Sequence, residues 1–572
     1  MAMLCYIRAF GYFCDHNNAI RQMKRILFSA IFFWCCLLVA TAQTQNRHLE
    51  VAKNLDIFNS VYKQLDMMYV DTLDAHELVT YAINGMLQTL DPYTEYYPEE
   101  ELKDFKFLLT GKYAGIGALI HYHFKDGHVV IDQPYANMPA AKAGLKKGDV
   151  ILAIDDEPME DKQTDYVSSH LRGDAGTSFI LKIRRPSTGK VMKLKITRES
   201  IQTPQVPYFG MRDNGVGYIN LASFSEGAAK EVRRAVIELR SRGMQQLVLD
   251  LRGNGGGSEK EAVEIVNMFV GKGEKVVENR GKIERANRVY LTEQEPIDTL
   301  MPIVVLVNNG SASSSEITAG ALQDLDRAVI VGTRTYGKGL VQVTTDLPYN
   351  SAMKLTTYKY YIPSGRCIQA IKYKRGGREQ VADSLRQVFY TRNGREVKDG
   401  GGIMPDIEIK PDSMTNIVYY LVSARDSSEV VFDYVVDYIK KHPTIAPAKD
   451  FQLTDADFAE FKQRVLQSSF KYDQETEKYL KQLEDLARFE GYYEDTKDDF
   501  AELKRKLTHN TERDLDFNRE ALKRYLETDI VSAYYFEKGA IENSLAKDKQ
   551  LAEAERLLAS PEEYNRILSG KK

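Results

Sequence analysis

Cysteine and tryptophan are nearly missing from this chain of 572 residues, which has five of the first and one of the second. Cys5, Cys14, Cys35, Cys36 and Trp34 all fall within the first 36 residues, leaving only Cys367 beyond them. A single cysteine excludes an internal disulfide framework, so the body of the chain must hold together by packing, which its length permits. Neither sign of charge is in surplus: 77 Lys and Arg stand against 81 Asp and Glu, a formal net charge of -4. That near-balance excludes the basic surface of a dedicated nucleic-acid binder. Histidine is scarce too, and its placement matters more than its number. The nine are His16, His48, His76, His121, His123, His128, His170, His442 and His509, so none lies between residues 171 and 441.

What is present is the composition of a folded soluble protein, 43% apolar and 28% charged, long enough for several domains. Lys24 and Arg25 precede an apolar stretch from Ile26 to Val39, followed by Ala40-Thr41-Ala42. A basic start, a short apolar run and an A-x-A exit predict a cleaved secretory signal over 1–42, which reads best from Met23; residues 1–22 read as an over-called start. The stretch falls short of the roughly twenty residues of a membrane anchor. The expected location is therefore the bacterial periplasm or cell envelope.

Helical periodicity runs through 43–108 until Asp91-Pro92 stops it. Short glycine-punctuated β runs fill 109–198, a compact β module. From 199 to 411 strands alternate with helices, predicting crossover units on a largely parallel, buried sheet. Residues 412–572 lose glycine and return to helical spacing, an expected C-terminal helical domain.

Two junctions in the alternating stretch carry chemistry. The segment PIVVLVNNGSASSSEITAGALQD passes from a buried strand through Asn308-Asn309-Gly310 into a helix beginning near Ser313. A hydroxyl there sits at the C-terminal edge of the sheet and at the positive end of a helix, where a nucleophile and its oxyanion both fit. Ser313-x-x-Glu316 is equally a capping box, and from this segment alone the cap is the commoner arrangement. The next crossover returns the chain parallel, so the loop Thr335-Tyr336-Gly337-Lys338-Gly339 emerges at the same edge. A lysine between two glycines can be desolvated, and bringing its pKa from about 10.4 to about 7.5 takes roughly 4 kcal/mol. Gln342 is placed to orient that amine. With no histidine in this stretch, a Ser-His-Asp triad within it is impossible and a Ser-Lys pair remains. The same lack weakens Cys367 as a nucleophile. The cluster Gly253-Asn254-Gly255-Gly256-Gly257 lacks the Lys-Ser/Thr of a phosphate loop, but its bare N–H groups suit an oxyanion. His121 and His123 share a strand face without an evident third ligand, so neither a metal nor a cofactor is expected.

The block GSASSSEITAGALQDLDRAVIVGTRTYGKGLVQ resembles the signature of the C-terminal processing peptidases, or tail-specific proteases. The resemblance spans about residues 50 to 411. It implies a crotonase/ClpP-like α/β peptidase core with an inserted PDZ module, Ser313 as nucleophile, Lys338 as general base and Gln342 as its support. It also implies an oxyanion hole from Gly256 or Gly257 and Ser314, Gly255 standing where the family often has proline. Ala141-Lys142-Ala143-Gly144-Leu145 through Ile151 resembles the PDZ hallmark, and Gly115-Ile116-Gly117-Ala118-Leu119 its carboxylate loop and first binding strand. Such a loop captures a terminal carboxylate with successive N–H groups while the strand edge pairs with the peptide. Arg172 stands where such proteins sense substrate. The expected activity is a serine endopeptidase that binds protein C-termini; the alternative is a non-catalytic PDZ scaffold on the same fold. Residues 412–572 are an expected site for an adaptor or for self-association.

Overall fold

The computed structural model describes residues 47–102, 112–374, 377–423 and 428–570; the expected signal segment lies outside them. The chain divides into one unit up to Met86 and a second from Leu87 onward. The first holds a helix over 47–68 and most of the helix Ala75–Leu87, whose entry is closed by Asp74 Oδ1 accepting the Glu77 N–H at 2.8 Å.

The second unit begins differently from the helical expectation for 43–108. Residues Glu95–Tyr97 form a strand paired antiparallel with Ser351–Tyr361. The β module that follows is a six-stranded antiparallel sheet in the order Ala118–His123, His128–Pro134, Val150–Ile154, Ser178–Arg184, Val191–Thr197, with the short strand Glu157–Pro158 paired to Val150–Ile154. Alternation places Val129, Ile131, Ile151, Leu181 and Ile183 in its core with Val167 and Leu171 of the helix Thr164–Leu171. Lys112–Gly115 pairs antiparallel with Glu199–Gln202, so the chain enters and leaves this module side by side. A module joined this way is an excursion from the peptidase body.

The main sheet runs Tyr208–Met211, Val216–Asn220, Gln246–Asp250, Ile303–Val307, Val329–Gly332, Ile407–Glu408, parallel except at its first pairing. Its strands read as continuous apolar runs because both faces are covered. One face packs on the helices Ala228–Ser241, Glu259–Asn267 and Ser314–Asp324 through residues such as Val236, Val266 and Leu322. The other face, with Tyr218, Val248, Val304 and Val331, is covered by Leu551, Leu557, Leu558 and Tyr564 from the end of the chain. The C-terminal helices therefore complete the peptidase core. Arg252 fixes the join, donating to Asp250 and, at 2.6 Å, to Asp548 Oδ2, the N-cap of the helix Lys549–Leu558. A second sheet, built on Ser351–Tyr361 and Lys275–Gly281, contributes the strand Leu340–Leu347 that leaves the Lys338 loop.

The rest of the C-terminal part packs around Tyr434, Phe461, Leu526 and Ile530 and also holds the β module. Buried Lys147 lies 2.5 Å from Asp132 and 2.8 Å from Asp529. His123 is tied to Asp126 and Asp433, which accounts for that histidine through hydrogen bonds.

Candidate active site

Register brings the chemistry to one edge. Asn220 stands opposite Asp250, Asp250 opposite Leu306, and Val307 opposite Gly332, so four strands end together, the last three of them in the turns that carry the chemistry. Their following turns, 251–257, 308–313 and 333–339, interlock through backbone. The Ala312 N–H donates to Asn254 O at 3.0 Å and the Tyr336 N–H to Ser311 O at 3.0 Å. Ser315 Oγ and Ser311 Oγ donate to Asn254 O and Leu251 O, both at 2.8 Å.

Ser313 occupies the N-cap position of the helix Ser314–Asp324 but not with the backbone of an ordinary cap. Its φ is 55° and its ψ -115°, whereas caps take extended angles. A serine held at positive φ costs on the order of 1–3 kcal/mol and persists only where its surroundings dictate it. Ser313 and Glu316 pair as a capping box, with the Ser313 N–H donating to Glu316 Oε2 at 2.9 Å, yet the serine hydroxyl makes no cap hydrogen bond of normal length. The Glu316 N–H is instead accepted by the Ser313 carbonyl at 2.8 Å. The Ser313 hydroxyl and carbonyl therefore both face this N–H, and the carbonyl makes the hydrogen bond.

Glu316 was legible only as half of that box; the fold gives it a larger task. Its carboxylate is fully buried and also accepts the Gly337 N–H at 2.7 Å, the Lys338 N–H at 2.9 Å and the Thr335 hydroxyl. One side chain therefore ties the serine turn to the lysine loop. Burial pushes its carboxyl up to about 7, opposed by those four hydrogen bonds. Tyr360 makes the same connection from the other side, its hydroxyl donating to the carbonyls of Ser313, at 3.2 Å, and Lys338.

Lys338 is mostly buried, and burial moves its ammonium pKa down; Lys354 adds to that, while Glu95, Glu316 and Asp91 oppose it. Its Nζ lies 4.5 Å from the centroid of the Tyr93 ring. Gln342 does not bond to this amine: its Nε2 donates to Thr356 Oγ1 at 3.1 Å. That strand pairs along Ser351–Tyr361, and Thr356 stands directly opposite Gln342 in the register.

Of the two glycines proposed to face an oxyanion, Gly256 has its N–H taken by Asn254 Oδ1 at 2.9 Å. Its place is fixed by closeness: a Cβ there would sit 2.7 Å from Ala312 O and 2.8 Å from Ser313 Cβ, at a φ of +98°. Gly257 pairs in parallel with Phe224 through its neighbours' groups, the Ser258 N–H donating to Phe224 O and the Phe224 N–H to Gly256 O. Among the described residues the N–H groups of Gly257 and Ser314 have no acceptor, and Ser314 Oγ donates to Gly257 O at 2.9 Å, which holds the two side by side.

The PDZ-like residues lie in the β module. Gly115 ends the strand Lys112–Gly115, and the buried Ile116 carbonyl accepts the Ala140 N–H at 2.8 Å. Gly117 turns the chain at a φ of +68° against Met138. Ala118 and the half-exposed Leu119 open the edge strand Ala118–His123, beside which the helix Thr164–Leu171 packs. Arg172 is the C-cap of that helix. The side chain that closes the helix end is Arg198, donating to His170 O at 2.7 Å and Leu171 O at 3.1 Å. The only sequence signal at 91–94 is turn chemistry: Asp91 Oδ1 accepts the N–H groups of Tyr93 and Thr94, at 2.9 Å each. Nothing in that signal shows that it delivers Tyr93 to Lys338.

Comparison with known proteins agrees with this architecture. The family model for peptidase family S41 matches residues 215–375 and a PDZ-domain model matches 130–185. A model described as the C-terminal helical domain of probable PDZ-proteases matches 417–558, and one for the N-terminal domain of the activating protease CtpB matches 38–101. The carboxy-terminal-processing protease of Bartonella bacilliformis is 36% identical over 354 residues, 61% of this chain and 80% of that protein. The carboxy-terminal processing protease CtpA of Bacillus subtilis is 35% identical over 331 residues, 58% of this chain and 69% of that protein. Among solved structures, a photosystem II D1 C-terminal processing protease is 27% identical with a TM-score of 0.35, over 64% of this chain and 97% of that one. With its PDZ domain, its helical domains and its α/β peptidase core, the chain belongs to the carboxy-terminal processing proteases of peptidase family S41, and it is a serine protease.

Proposed function

We propose that the chain is an exported endopeptidase that takes hold of protein C-termini and cleaves with Ser313 and Lys338. One observation carries the reading: Ser313 is held at positive φ at the head of its helix, and its turn shares the buried Glu316 carboxylate with the Lys338 loop. In this reading neutral Lys338 accepts the proton of Ser313 Oγ as the oxygen attacks the scissile carbonyl carbon. The N–H groups of Gly257 and Ser314 hold the oxyanion that forms. The lysine ammonium then gives its proton to the leaving amine, and a water molecule activated by the same lysine releases the acyl group. Gln342, held through its Nε2, offers its remaining oxygen to the lysine.

The free edge of Ala118–His123 and the preceding glycine turn support capture of a substrate tail by strand addition, with Arg172 nearby as a sensor of occupancy. Lys24-Arg25, the apolar stretch and Ala40-Thr41-Ala42 support export.

The test compares matched peptides ending in a free carboxylate or an amide, on the parent chain, Ser313→Ala and Lys338→Ala. Cleavage should vanish in both variants, with thermal stability within about 1–2 kcal/mol of the parent, and should weaken on amidation. Full activity in Ser313→Ala would return the serine to a capping role.

A further inference from the structure

The segment following the helix Ala75–Leu87 belongs to the catalytic centre by its contacts. It turns on Asp91 and then runs as Glu95–Tyr97 along Ser351–Tyr361, with Glu95 opposite Lys354 and bonded to it at 2.8 Å. That pairing fixes which residues reach inward. Asp91 Oδ1 accepts from Thr356 Oγ1 at 3.2 Å, and Thr356 Oγ1 accepts from Gln342 Nε2, so the turn anchors Gln342 through one intermediate. Two residues on, the face of Tyr93 lies against Lys338 Nζ.

Tyr93 is itself held. Tyr373 meets it edge-on at 6.1 Å between ring centroids, with the two hydroxyls 3.4 Å apart. Tyr336 also engages its hydroxyl, and burial with these partners keeps the phenol protonated far above neutrality. The charged groups facing the lysine are Lys354, Glu95, Glu316 and Asp91. None of them is hydrogen-bonded to Nζ, so the ring is the contact that defines where the amine lies.

Resting on the reading of Lys338 as the base, we infer that Tyr93 is a positioning residue of the active site, its ring face seating the lysine amine and keeping water from it. An aromatic face also attracts an ammonium, but this is a smaller effect than the exclusion of water, so the net action of the ring is to favour the neutral amine.

The test measures kcat and KM for a free-carboxylate peptide from about pH 5 to about pH 10, across the range in which a shielded lysine titrates. It uses the full chain and the variants Tyr93→Phe, Tyr93→Leu and Lys338→Ala. Tyr93→Leu keeps apolar bulk but offers no ring and leaves room for water. Its acid limb should move about one pH unit towards alkali, lowering kcat about tenfold near neutrality, with KM within about twofold. Tyr93→Phe, which retains the ring, should restore the parent profile. Tyr93→Met carries the same expectation as leucine if leucine does not fold. A leucine or methionine profile that coincides with the parent's, or moves towards acid, overturns the inference. Inactive Lys338→Ala beside an unmoved Tyr93→Leu profile sinks only the tyrosine, whereas active Lys338→Ala sinks the lysine reading beneath it.

Discussion

Replacing Glu316 by glutamine probes the node that joins the two loops. The carboxylate uses Oε2 for the Ser313 and Lys338 N–H groups and Oε1 for the Gly337 N–H and the Thr335 hydroxyl. An amide nitrogen at the Oε2 position would face two backbone donors; at the Oε1 position it would face one, since the Thr335 oxygen, which already accepts the Ile403 N–H, can adjust its proton. The better orientation therefore strands the Gly337 N–H, at about 1–3 kcal/mol. Expressed in the position of the lysine loop, that is about 5- to 150-fold in kcat. The loss should depend on pH, because glutamine resembles the protonated acid and the parent carboxyl titrates at about 7. The rate gap between parent and Glu316→Gln should be small near pH 5 and open as pH rises through 7. Stability should move the other way. A carboxyl whose folded pKa is raised from 4.5 to about 7 contributes stability that is complete below 4.5 and lost as pH rises through 7, about 3 kcal/mol in all. Glutamine carries no such loss, so the variant should gain about that much on the parent over the same interval. Steady-state kinetics and denaturant unfolding across this range read both effects. A rate gap that stays constant with pH would refute the assignment of Glu316 as the ionised link.

Two further outcomes follow from the geometry. Ser313→Gly should raise the melting temperature, because glycine relieves a strained φ of 55° worth on the order of 1–3 kcal/mol, while abolishing cleavage. A chain ending at Ser544 should fail to give a folded peptidase core: it uncovers the sheet face otherwise closed by Leu551, Leu557, Leu558 and Tyr564, about 1.5–3 kcal/mol for each side chain. Recovery of soluble protein and dye binding to exposed apolar surface check this.

Much of the site was legible because it lies in local sequence. A strand, a glycine-bearing turn and a helix place Ser313 at a sheet edge whatever surrounds them, and the next crossover returns Lys338 to that edge through parallel pairing. Gly256 and Gly257 could be named for an oxyanion turn, but not told apart. Only the fold shows Gly256 spending its N–H on Asn254 while its missing Cβ makes room for Ser313. The strand Glu95–Tyr97 was hidden inside a helical stretch because three residues carry no usable periodicity, and their partner lies more than 250 positions away.

The sequence by itself determined that Cys367 has no cysteine partner among the described residues and that a histidine-based triad within 199–411 is impossible, and it singled out a serine and a lysine at one sheet edge. These depend on counts and on motifs a few residues long. Tertiary structure decided the rest: that Glu316 serves both loops, that Tyr93 comes from the N-terminal side to meet Lys338, and that the final helices form one wall of the peptidase core. Each of those is a contact between segments distant in the chain, and such contacts are selected by the packing of buried surfaces, for which local pattern carries no code.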